Sequence, residues 1–487
     1  MKVNQIIKSS LDESAETFKN DILLNENRID ILKELGNKNN FNTKKVLRPL
    51  AWKIFLGVIP SESTENNILK EWIDIIFSQR EEFKKKIEKY CSIKKMGLND
   101  PLLQNDGKND LIYNQEEKNV LNLIDLDLQR THQTLELFHL PKTKNILSNV
   151  LFVYAKEYWG DVPYGQGMNE LLSMIYICLY PYYFNDKDYM KEKITKEKLY
   201  EYLNDINKYY KEIYLFFHDE NEIQSDLYYL FEALEKKGIN DLYERIDIKK
   251  NDPNYNLYEL FPDIIKDHFD EERTNHLYNH LKRTNVKCNY YMHRWLKCIF
   301  SREFEINNVL CLWDKIFFYE FNSSEKYKYS LVYIDFICVA MLMNIRYELI
   351  SKDDESDCYT LIFHYPTLDN ISTILEISEK VSEIIEQKLK GETYDINDVL
   401  RLIKRNGNFI ENDEDNYSDT NEELIIKPHM YNQKNNLSFI SCDQNKEKII
   451  FCGKYYVKTK VLMIFILFLI IGIILIYLFN KYRVDNS

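Results

Sequence analysis

Ile124-Asp-Leu-Asp127-Leu-Gln-Arg130 and Tyr164-Gly-Gln166-Gly167-Met-Asn169 are the two stretches on which the reading of this chain turns. The first sets a carboxylate and a guanidinium three residues apart on a helix, where a charge pair can form on one face. Taken alone, it reads equally well as a surface ion pair, which contributes little. The second sets an amide side chain in a glycine-rich break between two apolar helices. Gly160, Gly165 and Gly167 are three of only 12 glycines in the chain, and Pro163 stiffens the same segment. These residues end a helix expected over 146–158 and let the backbone approach another group closely. The plain alternative is a helix–helix turn with an incidental glutamine.

Outward from these motifs the pattern is helical. The 487 residues include 37 Tyr and 26 Phe, enough to build a large interior, and the scarcity of glycine and of proline (10) disfavours turn-rich β structure. Glu170–Tyr180 is apolar almost all round, so it is expected at the centre of the fold. Further helices are expected at 69–96, from 116 through Arg130, and at 196–217, 221–237, 275–300, 306–318, 329–350 and 371–389. Pro49 suits a first helical turn, and Gly57 with Pro60 suits that helix's end. Residues 97–114 read as a loop, and no strand alternation persists.

The net charge of −13 lacks the basic footprint that general nucleic-acid binding requires. Nine cysteines, among them Cys178, Cys298, Cys311 and Cys338, lie mostly within apolar runs and form no Cys-x-x-Cys pair. They read as reduced, buried thiols, with no disulfide framework and no metal site.

The carboxyl-terminal region has a different character. Acidic residues cluster between Glu411 and Glu423, so 396–457 is expected to be a flexible, polar, acidic linker. Residues 461–479, VLMIFILFLIIGIILIYLF, carry no charge; as a helix they would span about 28 Å, near the thickness of a bilayer's hydrocarbon core. Lysines and tyrosines flank the run on both sides. The start of the chain is polar and does not read as a signal peptide. The expectation is a tail-anchored protein facing the cytosol, with residues 480–487 as a short tail and the endoplasmic reticulum or Golgi favoured over the plasma membrane. A long core helix is the alternative for 461–479.

Three motifs occur in order: Arg48-x-x-x-Trp52, Ile124-x-x-Asp127-x-x-Arg130, and Tyr164-x-Gln166-Gly167-Met-Asn169. Arg294-Trp295 and Leu312-Trp313-Asp314 follow. With this order the chain resembles the TBC-domain family of Rab GTPase-activating proteins. The resemblance implies an all-α, multi-helix domain at 41–395; the apolar patch of Ile22, Leu23, Leu24, Ile29, Ile31 and Leu32 reads as part of a helical lead-in at 1–40. The resemblance also implies a GTP-loaded Rab as partner, whose hydrolysis Arg130 and Gln166 would accelerate in trans as arginine and glutamine fingers. Charge that builds on phosphoryl oxygens is neutralised by such a guanidinium, which lysine replaces poorly. Asp127 would orient Arg130, Tyr164 would shape the loop, and Asn169 would cap the next helix or touch the Rab. Arg48, Trp52, Ile124, Gly167, Arg294, Trp295, Trp313 and Asp314 would be structural. No cofactor of its own is expected, since GTP and Mg²⁺ travel with the Rab. The role implied is control of vesicle traffic from a membrane; a non-catalytic Rab-binding scaffold or tether is the alternative.

Overall fold

The apolar run that begins at Glu170 folds as a helix from Met168 to Leu179, and all of its residues are buried, including Asn169, Glu170 and Ser173. Around it, in a computed structural model, the domain is helical. Residues 6–63, 67–91, 115–159, 164–185, 194–239, 275–323, 331–390, 449–452 and 455–458 are described. The chain divides into two units, 1–410 and 411–487.

In chain order the first unit begins with α1 (Leu11–Phe18), α2 (Arg28–Asn37), α3 (Arg48–Phe55), α4 (Ile68–Cys91), α5 (Gln115–Arg130) and α6 (Pro141–Glu157). There follow α7 (Met168–Leu179), α8 (Lys196–Asn204), α9 (Ile206–Phe217), α10 (Ile223–Leu234), α11 (Asn275–Arg283) and α12 (Cys288–Lys297). The series ends with α13 (Ile306–Ser323), α14 (Tyr333–Asn344), α15 (Arg346–Ile350), α16 (Glu355–Phe363) and α17 (Ser372–Lys390). Helix α10 packs on α4, α6 and α7, while α14 lies along α17. The lead-in joins the same core, since Phe18 is fully buried and its ring meets Tyr214 and Phe217.

Several helix ends differ from expectation for local reasons. Helix α6 starts at Pro141, whose fixed φ suits a first turn. The helix expected at 196–217 is broken by Asp205, at φ −137° and ψ 66°. That at 275–300 is interrupted near Asn285, a residue type that tolerates its φ of +59°. That at 329–350 breaks at Ile345 (φ −101°, ψ 15°). Helix α16 was not expected; the Asp354 carboxylate caps its start by accepting from the Asp357 amide.

In the second unit, Ile449–Cys452 pairs antiparallel with Tyr455–Lys458, matching Ile449 with Lys458 and Cys452 with Tyr455. The hairpin lies in a stretch read as linker. Its β-branched and aromatic residues favour paired strands. The rest of that linker, the apolar run 461–479 and the loop at 97–114 lie outside the described residues. Among the described residues no helix is long and apolar enough to cross a membrane.

Two buried ionic clusters tie distant segments together. Arg48 Nε donates to both oxygens of Asp314 (2.9 and 3.0 Å), and Trp52 Nε1 donates to Asp314 Oδ1 at 2.8 Å. Burial opposes charge on Arg48, but the Asp314 carboxylate outweighs it and holds the guanidinium above its ordinary pKa. The indoles of Trp52 and Trp313 lie 5.7 Å apart over the same place. In the second cluster, Asp226 Oδ2 accepts from Lys53 Nζ (3.0 Å), Arg80 Nη2 (3.0 Å) and Tyr183 Oη (2.7 Å), joining α3, α4 and α10. Arg294 and Glu303 form a bidentate pair at 2.5 and 2.6 Å.

Removing one member of a buried pair leaves the other charge uncompensated. Asp314→Asn is expected to destabilise the fold by about 3–5 kcal/mol, read as a lower midpoint in urea unfolding.

Glu235, just past α10, is a second point of stress. It is buried, and among the described residues neither carboxylate oxygen has a partner. Burial alone pushes its carboxyl from 4.5 up to about 8. Between those values the folded chain holds a proton that the unfolded chain releases, so Glu235's contribution to stability falls as pH rises through this window. Glu235→Gln should therefore raise the thermal midpoint at pH 8 relative to the parent chain, and the gain should shrink towards pH 5. Scanning calorimetry across that range measures it.

Candidate functional site

Arg130 is the last residue of α5, and its side chain is 43% exposed while that of Asp127 is 4% exposed. Arg130 Nη2 donates to Asp127 Oδ1 at 2.7 Å, and Nε donates to the Leu126 carbonyl at 3.2 Å. The guanidinium is thus held at two points with its remaining edge outward. The other Asp127 oxygen, Oδ2, accepts from Tyr164 Oη at 3.0 Å. One buried carboxylate therefore joins the end of α5 to the loop before α7. Burial, and after it the Asp127 charge, keeps the Tyr164 phenol well above its ordinary pKa, so it remains a donor.

The loop turns sharply into α7. Met168 N donates to the Gly165 carbonyl (3.2 Å), and Glu170 N donates to that of Gly167 (2.9 Å). Gly167 lies at φ +113°, where side chains are strained, and an added Cβ would come within 3.0 Å of Lys297 Cγ. Its amide donates to Asn169 Oδ1 at 3.2 Å, while Asn169 Nδ2 donates to Thr131 Oγ1 at 2.8 Å. Thr131 Oγ1 in turn donates to the Asp127 carbonyl at 2.8 Å. Asn169, expected as a helix cap or a partner contact, is buried and forms a second clasp between the two segments. Gln166 sits at the turn, exposed, and among the described residues nothing engages its carboxamide.

The structure thus brings together Asp127, Arg130, Tyr164, Gly167 and Asn169, with Gln166 on the same short loop. Ile124 is buried under α5. Arg48, Trp52, Trp313 and Asp314 meet one another in the interior, and the Arg294–Glu303 pair adjoins the buried Trp295 on the same helix. Pro163 and Gly160 lie outside the described residues.

One pair near the site escaped the sequence reading. Glu170, in the first turn of α7, is buried, and its Oε1 accepts from Arg302 Nε at 3.1 Å and also from Arg302 Nη2. Burial opposes charge on Arg302, but Glu170 outweighs it, with a smaller contribution from Asp127, and keeps the guanidinium above its ordinary pKa. The available signal was Glu170 itself, a lone charge in an otherwise uncharged helix. Beside it, His132 Nε2 lies 2.9 Å from Ser173 Oγ, and burial lowers that imidazole's pKa. Among the described residues no cluster could hold a metal ion.

An exposed guanidinium on a buried carboxylate and an exposed carboxamide on a glycine turn thus stand on two segments of an all-helical domain that buried hydrogen bonds join. Residues 45–350 match the Rab-GTPase-TBC domain family, and the chain belongs to that family. It is 27% identical to human (Homo sapiens) TBC1 domain family member 5 over 374 residues, covering 73% of this chain and 43% of that protein. It is 24% identical over 330 residues to GTPase-activating protein gyp1 of Schizosaccharomyces pombe, covering 68% of this chain and 53% of that one. The chain thus spans less than half the length of the first of these relatives. The crystal structure of the Ypt/Rab-GAP domain of Gyp1p shares the fold, with a TM-score of 0.51 at 18% identity over 78% of this chain and all of that one.

The backbone at Gly167 permits a direct test of the loop. Gly167→Ala must adopt a strained φ and displace Lys297, and is expected to destabilise the domain by about 1–3 kcal/mol, seen as a lowered thermal midpoint in circular dichroism.

Proposed function

We propose that this chain is a GTPase-activating protein for a Rab-family small GTPase, supplying Arg130 and Gln166 in trans. The observation that carries the reading is the division of burial at the site: both proposed fingers are exposed, and the groups that orient them are not. Asp127 holds the guanidinium in one direction before the partner arrives, so its fork meets a developing phosphoryl charge without reorganising. Gln166 orients the attacking water by donating and accepting through one carboxamide. Tyr164 and Asn169 fix the loop that carries it. GTP and Mg²⁺ belong to the partner, and this chain brings no cofactor.

The same proposal places the domain on a membrane through residues 461–479, an uncharged run long enough to span one. Anchored on the endoplasmic reticulum or Golgi, with its bulk in the cytosol, it would meet lipidated Rabs on a shared surface and regulate vesicle traffic there. Confinement to that surface raises effective concentration.

Arg130→Ala is expected to lower stimulated hydrolysis by about 10³-fold or more, and Gln166→Ala by about 10²-fold or more. Circular dichroism should be unchanged in both. Phosphate release from a panel of purified, GTP-loaded Rab proteins measures the effect. Tight binding of a GTP-loaded Rab with no acceleration by the parent chain would replace this reading with a non-catalytic scaffold.

A further inference from the structure

Leu123 and Leu126 stand on the solvated side of α5, 40% and 53% exposed, although the helix has a complete buried face of its own in Leu121, Ile124 and Leu128. At 3.6 residues per turn, Leu123, Leu126 and Arg130 fall within an arc of about 60°, and the nearest buried apolar position lies roughly 100° round from Leu123. Along the axis, Leu126 is about 6 Å and Leu123 about 10 Å from Arg130. Their exposed neighbours Asn122, Asp125 and Gln129 are polar. Single exposed leucines are ordinary. Two of the six exposed large apolar side chains among the described residues share a stripe with the exposed arginine.

We infer that Leu123 and Leu126 form an apolar docking stripe that seats the GTP-loaded GTPase beside its nucleotide, setting affinity for that partner without taking part in hydrolysis. The inference rests on the function proposed above. The occupant follows from continuity. A standard interface buries about 800 Å² per partner, a patch of about 16 Å radius. Any protein that delivers a phosphoryl group to Arg130 therefore covers both leucines, and must meet them with apolar surface or leave them poorly packed. Leu126 lies on the flank of Arg130 away from Asp127, whose carboxylate is bonded to Tyr164 at the start of the Gln166 loop, and Leu123 lies about one turn further back along the helix. Set back about 6 and 10 Å along the helix from the arginine, both leucines meet partner surface away from the reacting phosphate, where contacts are the same in the ground and transition states. Uniform binding of this kind moves KM and leaves kcat alone.

The test uses the full-length chain and a panel of purified Rab GTPases loaded with GTP. The double variant Leu123→Ser/Leu126→Ser is expected to raise KM about tenfold with kcat within twofold of the parent and an unchanged thermal midpoint; Leu123→Met/Leu126→Met should restore KM to within twofold. An unchanged KM for every GTPase that the parent stimulates overturns the proposal. So does a loss of kcat matching a drop in midpoint. Self-association or binding to phosphatidylcholine vesicles that the serine pair abolishes, with KM unmoved, assigns the stripe to a second copy or to lipid and also overturns it. If the parent stimulates no GTPase, the proposed function fails separately. Binding of GTPases loaded with a non-hydrolysable GTP analogue then decides: a tenfold weakening by the serine pair supports the stripe, and equal or no binding refutes it.

Discussion

Asp127 is required to satisfy two neighbours at once, and the geometry of the site follows from how it does so. A buried carboxylate is tolerated only where its oxygens find donors. One oxygen takes the Arg130 guanidinium and the other takes the Tyr164 hydroxyl, on segments separated by a whole helix. The donor on the loop is a neutral phenol, so Arg130 is the cation paired with this carboxylate. A second clasp, from Asn169 to Thr131 and back to the Asp127 carbonyl, runs parallel to the first. With both in place, the end of α5 and the start of α7 cannot shift independently, and the relation between Arg130 and Gln166 is set by buried bonds although both side chains face solvent.

That local arrangement depends on α7 being held from behind. Its apolar surface is covered on all sides, yet three polar residues are buried in its first two turns, and each is bonded. Arg302 fastens Glu170 from a segment far along the chain. The clusters at Asp314 and Asp226 do the same for α3, α4, α10 and α13. Such pairs add little net stability over a well-packed apolar alternative. Their effect is selective, because a helix that slips by one residue strands a charge in the interior. The Asp226 cluster sets two cations against one carboxylate; burial accordingly lowers the Lys53 pKa and pushes that of nearby His218 down to about 3.

The parts of this arrangement that were legible in the sequence are the local ones. Asp127 and Arg130 are close because of helical periodicity, and Gly167 announces its left-handed turn by its neighbours. The centrality of α7 was readable from its unbroken apolar face. Partners distant in sequence were not: the pairings of Glu170 with Arg302, of Lys53 and Arg80 with Asp226, and of Arg48 with Asp314 join segments whose separation carries no local signal of contact. Glu170, alone in an otherwise uncharged helix, signals its own burial, but nothing local names its partner. Helix ends failed where a single residue, such as Asp205 or Ile345, left the helical region, because an apolar pattern continues across one broken turn. Asn169 was expected at a helix cap or a binding surface, and its place in the interior follows from its bond to Thr131, a partner 38 residues away.

Under the proposed function, the division between held and free groups bears on how an arginine that already has an anion would serve another molecule's phosphate. An unrestrained arginine loses about 0.5–1.5 kcal/mol of rotamer freedom on being fixed at an interface. Arg130 has met most of that loss on folding, through Nη2 and Nε, and among the described residues Nη1 remains uncommitted. The Asp127 charge does offset part of the local cation, yet the aspartate is buried and the arginine is not. An approaching anion therefore meets the guanidinium edge first and the carboxylate only through it. The outward donor is oriented but not shielded, and this is the property a residue needs to stabilise charge that appears only briefly on a neighbour.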